Sequence, residues 1–195
     1  MQFNKGLILL NLMKSVHITY FVHGTSVDNQ KNISSGWHNT ELSELGIKQS
    51  VELKEKIKDK KFDVVFCSDL KRAADSAKLT FGNSVKIILD SRLRECSYGK
   101  FNAGPSEVVE PLQENHITKR FPGGESYEDV KKRMGDFLNF LKKNYCGKEV
   151  AIVAHKAPQL ALDVLLKGKT WKIAFKEDWR KKKAWQPGWE YEVKC

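Results

Sequence analysis

Cysteine is scarce and scattered. The four in 195 residues (Cys67, Cys96, Cys146, Cys195) form no CxxC pair and show none of the close spacing of disulfide scaffolds or zinc sites. The simplest expectation is reduced thiols in a reducing, cytoplasmic setting. Long apolar runs are also missing. The chain-terminal one, Gly6 to Met13, has eight residues, against the roughly 20 that a membrane helix needs, so no membrane partner is expected. One Lys precedes that run and no small-x-small cleavage site follows. The preferred reading is therefore an N-terminal extension over residues 1–14, with Met13 close to the start of the fold, rather than a signal peptide. No Ser/Gly/Pro-rich linker and no internal repeat divides the chain. With 41% hydrophobic residues, it is long enough for one full core and short for two.

Positive charge is what the chain has in excess, at a formal +10. Nine Lys or Arg against four Asp or Glu fall between Lys167 and Lys194, so about half of the excess sits in this last stretch. A local basic surface around residues 179–185 follows, and its plainest explanation is a solvated helix face. Attraction of anionic phosphorylated substrates is the functional alternative. Nucleic acid is disfavoured, because no zinc-finger, RNP-type or helix-turn-helix signature accompanies the charge.

Apolar, β-branched and aromatic runs at 17–22, 62–67, 85–89 and 149–154 lack alternation, as strands covered on both faces do. Stretches with helical periodicity lie between and after them, from Leu42 to Ile57, Leu70 to Phe81, Tyr127 to Asn144 and Pro158 to Leu166. Ser126 ahead of Glu128 and Asp129 caps a helix start, and Gly82 and Gly147 stop or follow helices. Strand and helix in alternation predict an α/β fold, a three-layer sandwich with a mostly parallel central sheet flanked by helices. The single domain is expected over residues 15–166, with a basic Trp-rich segment, 167–195, packed on it. The stretch from Tyr98 to Gly124 reads as a long irregular excursion of the kind that often forms a binding lid.

Two histidines, His23 and His155, each stand immediately after a predicted buried strand. In open parallel sheets ligands bind at the carboxyl ends of the strands, so both imidazoles should face one crevice. Gly24 would let the backbone turn and bring amide N–H groups near an anion. His17, His38 and His116 lack such a position and are expected to be structural.

At this point the chain resembles the histidine phosphatase (phosphoglycerate mutase-like) superfamily. Residues 20–29, YFVHGTSVDN, are similar to the family's R-H-G-x-x-x-x-N signature, with His23 and Asn29 in place. Thr40, Leu42, Ser43, Gly46 and Gln49 fit a second block, and Ser68, Leu70, Arg72 and Ala73 a third. Residues 92–104, 122–133 and 150–158 resemble the remaining three, in the family's order. The resemblance implies that His23 attacks phosphorus and that Arg72 clamps the phosphate. His155 would bind the phosphoryl group from the other side, best if protonated, and Glu95 would serve as acid and base. Asn29 and the Gly124-Glu125-Ser126 helix start would contact substrate and support the pocket. No cofactor and no metal are expected.

The chain departs from the pattern at two places. Val22 stands where the family has Arg, either as a replacement or through a one-residue shortening of the strand, and Lys156 stands where Gly is usual. Lys156 either supplies part of the missing charge or points to solvent. Trp171, Trp179, Trp185 and Trp189 of the tail either anchor a structural appendage or cover a sheet edge, line the pocket mouth or stack on a base. The leading expectation is hydrolysis of a phosphomonoester, on a small metabolite or a phosphorylated protein. The alternatives are a catalytically weakened phosphate-binding domain and, third, a mutase. Oligomeric state has no readable signal.

Overall fold

The computed structural model describes residues 14–182 and 188–195. Trp185 and the expected extension, apart from Lys14, lie outside them. In chain order the elements are β1 (Ser15–Val22), α1 (Val27–Gln30), β2 (Ile33–Ser34), α2 (Glu44–Lys56), β3 (Val64–Cys67) and α3 (Lys71–Phe81). There follow β4 (Ile87–Leu89), β5 (Gly104–Pro105), α4 (Ser106–Leu112), α5 (Tyr127–Asn144), β6 (Glu149–Ala154), α6 (Lys156–Lys167), α7 (Trp171–Lys176) and β7 (Trp189–Lys194).

Five strands form the main sheet in the order β4-β3-β6-β1-β7. The first four are parallel, and β7 runs antiparallel along β1 at the edge. Unbroken apolarity in β1, β3 and β6 has its cause in the two faces. Phe21, Val65, Cys67, Ala151 and Val153 pack with Leu53 of α2 and with Ala77 and Phe81 of α3. Tyr20, Phe66, Ile152 and Ala154 pack with Val130, Met134 and Phe137 of α5 and Leu160 of α6. Successive side chains thus enter different helix layers, and all but those of His17 and Glu149 are buried. This is the α/β sandwich that the sequence predicts.

β7 was not anticipated. Its side chains alternate, with Tyr191 and Val193 buried and Glu190, Glu192 and Lys194 exposed. That is the pattern of an edge strand covered on one face, and Trp-Glu-Tyr-Glu-Val-Lys carries it at period two. The excursion from Tyr98 to Gly124 is likewise more ordered than expected. It contains α4, with Pro111 inside, and β5, which pairs with β2. α6 begins two residues before Pro158, which fits because a proline in the first turn removes no helical hydrogen bond.

The expectation of four reduced thiols is overturned. Cys146 and Cys195 are joined in a disulfide with Cα atoms 6.1 Å apart. They are 49 residues apart in sequence, and only the return of β7 along β1 brings them together, which scattered spacing does not reveal. Cys67 and Cys96 are free and buried. Among the described residues no helix is long and apolar enough to cross a membrane.

Candidate active site

Sheet register places the two histidines. β1 pairs with β6 from His17 opposite Glu149 to Val22 opposite Ala154, so the next residue on each strand, His23 and His155, emerges side by side. The His23 amide donates to the Ala154 carbonyl at 3.1 Å, and the imidazole centroids are 5.0 Å apart. The shared strand-end position noted in the sequence therefore becomes direct ring contact.

His23 has a defined tautomer. Its Nδ1 lies 2.6 Å from the Gly24 carbonyl oxygen, which can only accept, so Nδ1 carries the proton. Its Nε2 faces the Nε–H of Arg72 at 3.3 Å, which can only donate, so Nε2 presents its lone pair. Burial and the Arg72 charge hold the imidazole pKa down at about 3, against the raising effect of the Gly24 hydrogen bond. His23 is thus a neutral imidazole whose unprotonated Nε2 accepts from Arg72.

Gly24 does a different job from the one expected. Its N–H donates to Ser76 Oγ at 3.0 Å and is not free for an anion. A side chain is excluded because a Cβ would collide with the backbone of Gly46. Asn29 also has a local role, its Oδ1 accepting from the Ser26 amide in a capping box on α1. Its side chain remains exposed on the cavity wall.

Arg72 stands in the first turn of α3 and is 2% exposed, so it is no surface helix arginine. Nη1 donates to the His38 carbonyl at 3.0 Å and Nη2 to that of Gly36 at 2.8 Å. These bonds hold the guanidinium plane against His23.

Glu95 is buried, and it pairs with neither neighbouring arginine: Arg92 binds Asp90 and Arg94 binds Asp69. Its Oε1 accepts from the amides of Cys96 at 2.8 Å and Ala157 at 3.1 Å. The second of these amides lies in the first turn of α6, so the carboxylate satisfies a helix-end donor while Oε2 has no hydrogen bond among the described residues. The Glu95 backbone is clamped too. Its carbonyl accepts from Trp37 Nε1 at 2.7 Å and from Arg133 Nη2 at 3.0 Å, and Arg133 is ion-paired with Glu125, 2.9 Å from Nε to Oε1. The Gly124-Glu125-Ser126 helix start therefore supports the loop that carries Glu95.

His155 is fully buried, and among the described residues neither ring nitrogen has a hydrogen-bond partner. Two unpartnered polar atoms at such depth cost on the order of 1–3 kcal/mol, which a bound group supplying them with partners would recover. Tyr20 fixes the backbone here, its hydroxyl donating to the His155 carbonyl at 2.6 Å and accepting from the His155 amide at 3.1 Å. His155 was expected to bind a phosphoryl group best if protonated. Burial, Arg72 and His23 push its pKa well below the ordinary value, so without an anion the ring is neutral.

Lys156 does not point to solvent. It is buried, and its Nζ donates to Gln113 Oε1 at 2.7 Å. Burial and Arg180 pull its pKa down to about 8, while Asp178 works in the opposite direction.

Val22, His23, Asn29, Glu95 and Lys156 share one cavity of about 500 Å³. Trp179 and Arg180 of the tail complete its wall, and Val22 contributes an aliphatic surface without charge. Tyr20, Ser76, Arg133 and Asp178 were given no role in the sequence, and Arg180 only a share in the basic stretch 179–185. Arg133 carried a signal, since it lies about two turns into the helix whose start was already singled out. His17, His38 and His116 stay outside the cavity lining, and His116 stacks on Phe121 at 3.9 Å between centroids.

Known proteins share this arrangement of strands. Residues 20–181 match the model of the histidine phosphatase superfamily (branch 1). A 2,3-bisphosphoglycerate-dependent phosphoglycerate mutase of Rhizobium meliloti (strain 1021) is 30% identical over 171 residues, which cover 77% of this chain and 81% of the mutase. A mycobacterial glucosyl-3-phosphoglycerate phosphatase superposes with a TM-score of 0.72 at 26% identity, over 82% of this chain and 86% of its own. The alpha-ribazole phosphatase of Shigella flexneri is similar in fold, with a TM-score of 0.72 at 22% identity over 82% and 84% of the two chains. The family match takes in both strand-end histidines, Arg72 and Glu95, and on that ground the chain belongs to the histidine phosphatase superfamily.

Proposed function

We propose that the protein hydrolyses a phosphomonoester through a phosphohistidine at His23, with no metal required. The observation that carries this reading is the tautomer. Nδ1–H is held by the Gly24 carbonyl, which leaves Nε2 without a proton; its lone pair accepts from Arg72 Nε–H until a phosphoryl group displaces that bond. In the first step Nε2 attacks phosphorus in line and the P–O ester bond breaks. Glu95 gives a proton to the leaving oxygen, with Oε2 the oxygen free to do so. In the second step water attacks phosphorus, Glu95 takes its proton and the P–N bond breaks. Inorganic phosphate leaves and His23 is neutral again.

Charge spread over the phosphoryl oxygens in a loose transition state calls for fixed cations and donors. Arg72 serves as one. Lys156 serves as a second, supplying as a point charge part of what Val22 does not. A dianion beside the imidazoles also favours protonation of His155, giving its unpartnered nitrogens a role.

The test is hydrolysis of a general aryl phosphate with chelator present. Turnover should persist, fall at least about 10³-fold in His23→Ala, and leave an acid-labile phosphoenzyme only in the parent. Turnover unaffected by the substitution would overturn the mechanism. A second reading, a weakened phosphate-binding member, is favoured by the uncharged Val22 wall. It predicts phosphate binding without measurable turnover.

A further inference from the structure

The tail segment 178–180 faces the catalytic cavity through an ion cluster that local sequence does not suggest. Lys156 and Asp178 are 5% and 4% exposed, with Nζ and Oδ2 3.9 Å apart. Asp178 is gripped by Arg180 through Nε and Nη2, the latter at 2.8 Å, and Arg180 Nη1 reaches Glu110 of α4 at 2.9 Å. Three distant segments therefore meet over one ammonium: the start of α6, the excursion that holds α4, and the tail.

A buried ion pair of this kind is poor evidence for stability, since desolvation offsets most of the attraction. A strongly perturbed cation in a cleft instead points to function. Lys156 Nζ spends one donor on Gln113 Oε1, and among the described residues its other two have no short hydrogen bond. It also lines the wall that holds His23 and Glu95.

We propose that Asp178 and Arg180 are positioning residues of the active site: together they set the place and the charge of Lys156, a cation of the cavity wall that holds His23. This rests on the reading of Lys156 given above. The charged groups that face Lys156 are Asp178 and Arg180 of the tail, Glu110 of α4, and Glu95. Asp178 favours the ammonium and Arg180 opposes it. Removing the first lowers the pH at which the charge is lost; removing the second raises it. The tail thereby takes part in phosphate binding instead of only closing the sheet edge.

The experiment is calorimetric binding of inorganic phosphate by the full chain from about pH 6 to pH 10, in parent, Lys156→Met, Asp178→Asn and Arg180→Gln proteins. The parent should show an alkaline loss of affinity near pH 8 that Lys156→Met lacks. Asp178→Asn, which keeps an acceptor for Arg180, should move that loss to lower pH by about half a unit or more, and Arg180→Gln should move it to higher pH. A structural disturbance of the tail cannot shift one limb in both directions. A limb that stays fixed in both tail variants, with affinity lowered evenly, overturns the proposal while Lys156 keeps its role. A limb retained in Lys156→Met overturns both, and loss of His23-dependent turnover with intact phosphate binding strikes only the hydrolytic reading. If Asp178→Asn fails to fold, the shift in the partly exposed Arg180→Gln decides alone.

Discussion

The Nε of Arg72 donates to Nε2 of His23 across 3.3 Å. The same guanidinium therefore orients the imidazole in the unliganded site, and in the proposed mechanism it would also be a cation for the phosphoryl group. Its Nη1 and Nη2 each donate to a carbonyl, of His38 and Gly36 respectively, and a lysine cannot reproduce that fork. Arg72→Lys should fold but lose at least about 10²-fold in kcat/KM on an aryl phosphate. An equal loss in His38→Ala, whose side chain does not bond Arg72, would show that the effect is not the fork.

Neutral histidines make stability depend on pH. His23 has a folded pKa near 3, below the ordinary 6.5 or so of an unfolded chain. Between those values the unfolded state binds the extra proton. The contribution is therefore complete above pH 6.5 and lost as pH falls toward 3. His155 is depressed in the same direction. His23 should remove on the order of 1–2 kcal/mol between about pH 7.5 and pH 5, and His155 should add to it in the same direction, measured as a falling urea midpoint. His155→Leu should flatten the slope; an unchanged slope would contradict the assignment.

His155 also exchanges stability for function. Its unpartnered ring nitrogens make His155→Leu a stabilising change of about 1–2 kcal/mol. Catalysis should fall by about 10²-fold or more. Chemical denaturation and kinetics on one preparation check both signs.

Arg133 holds the Glu95 loop by its bonds to the carbonyls of Arg92 and Glu95 and by its pair with Glu125. Arg133→Met should cost about 2–3 kcal/mol in unfolding free energy. It should lower kcat more than it raises KM, because the acid moves while the phosphate clamp stays. A pure KM effect would place Arg133 elsewhere in the mechanism.

The disulfide between Cys146 and Cys195 closes a segment 49 residues long in sequence separation. Loop-closure entropy puts its contribution at about 4 kcal/mol at most. Cys195→Ser should lower Tm, and a reducing agent should lower Tm in the parent but not in the variant.

Local sequence determined the frame of this protein. Runs without alternation located β1, β3 and β6, helical spacing located α2, α3 and α5, and the two strand ends marked His23 and His155 before any contact was known. These are short-range properties, set by backbone geometry and by which faces avoid water. The motif blocks similarly marked Arg72 and Glu95. Tertiary structure alone decided what each group could do. It used the Gly24 amide on Ser76 and the Asn29 carbonyl oxygen on a helix cap, and it fixed the His23 tautomer between a carbonyl and a guanidinium. It also joined Cys146 to Cys195 and carried Asp178 and Arg180 to Lys156. Those outcomes depend on segments far apart in the chain meeting at ångström distances, and charge and protonation follow from such neighbours rather than from periodicity.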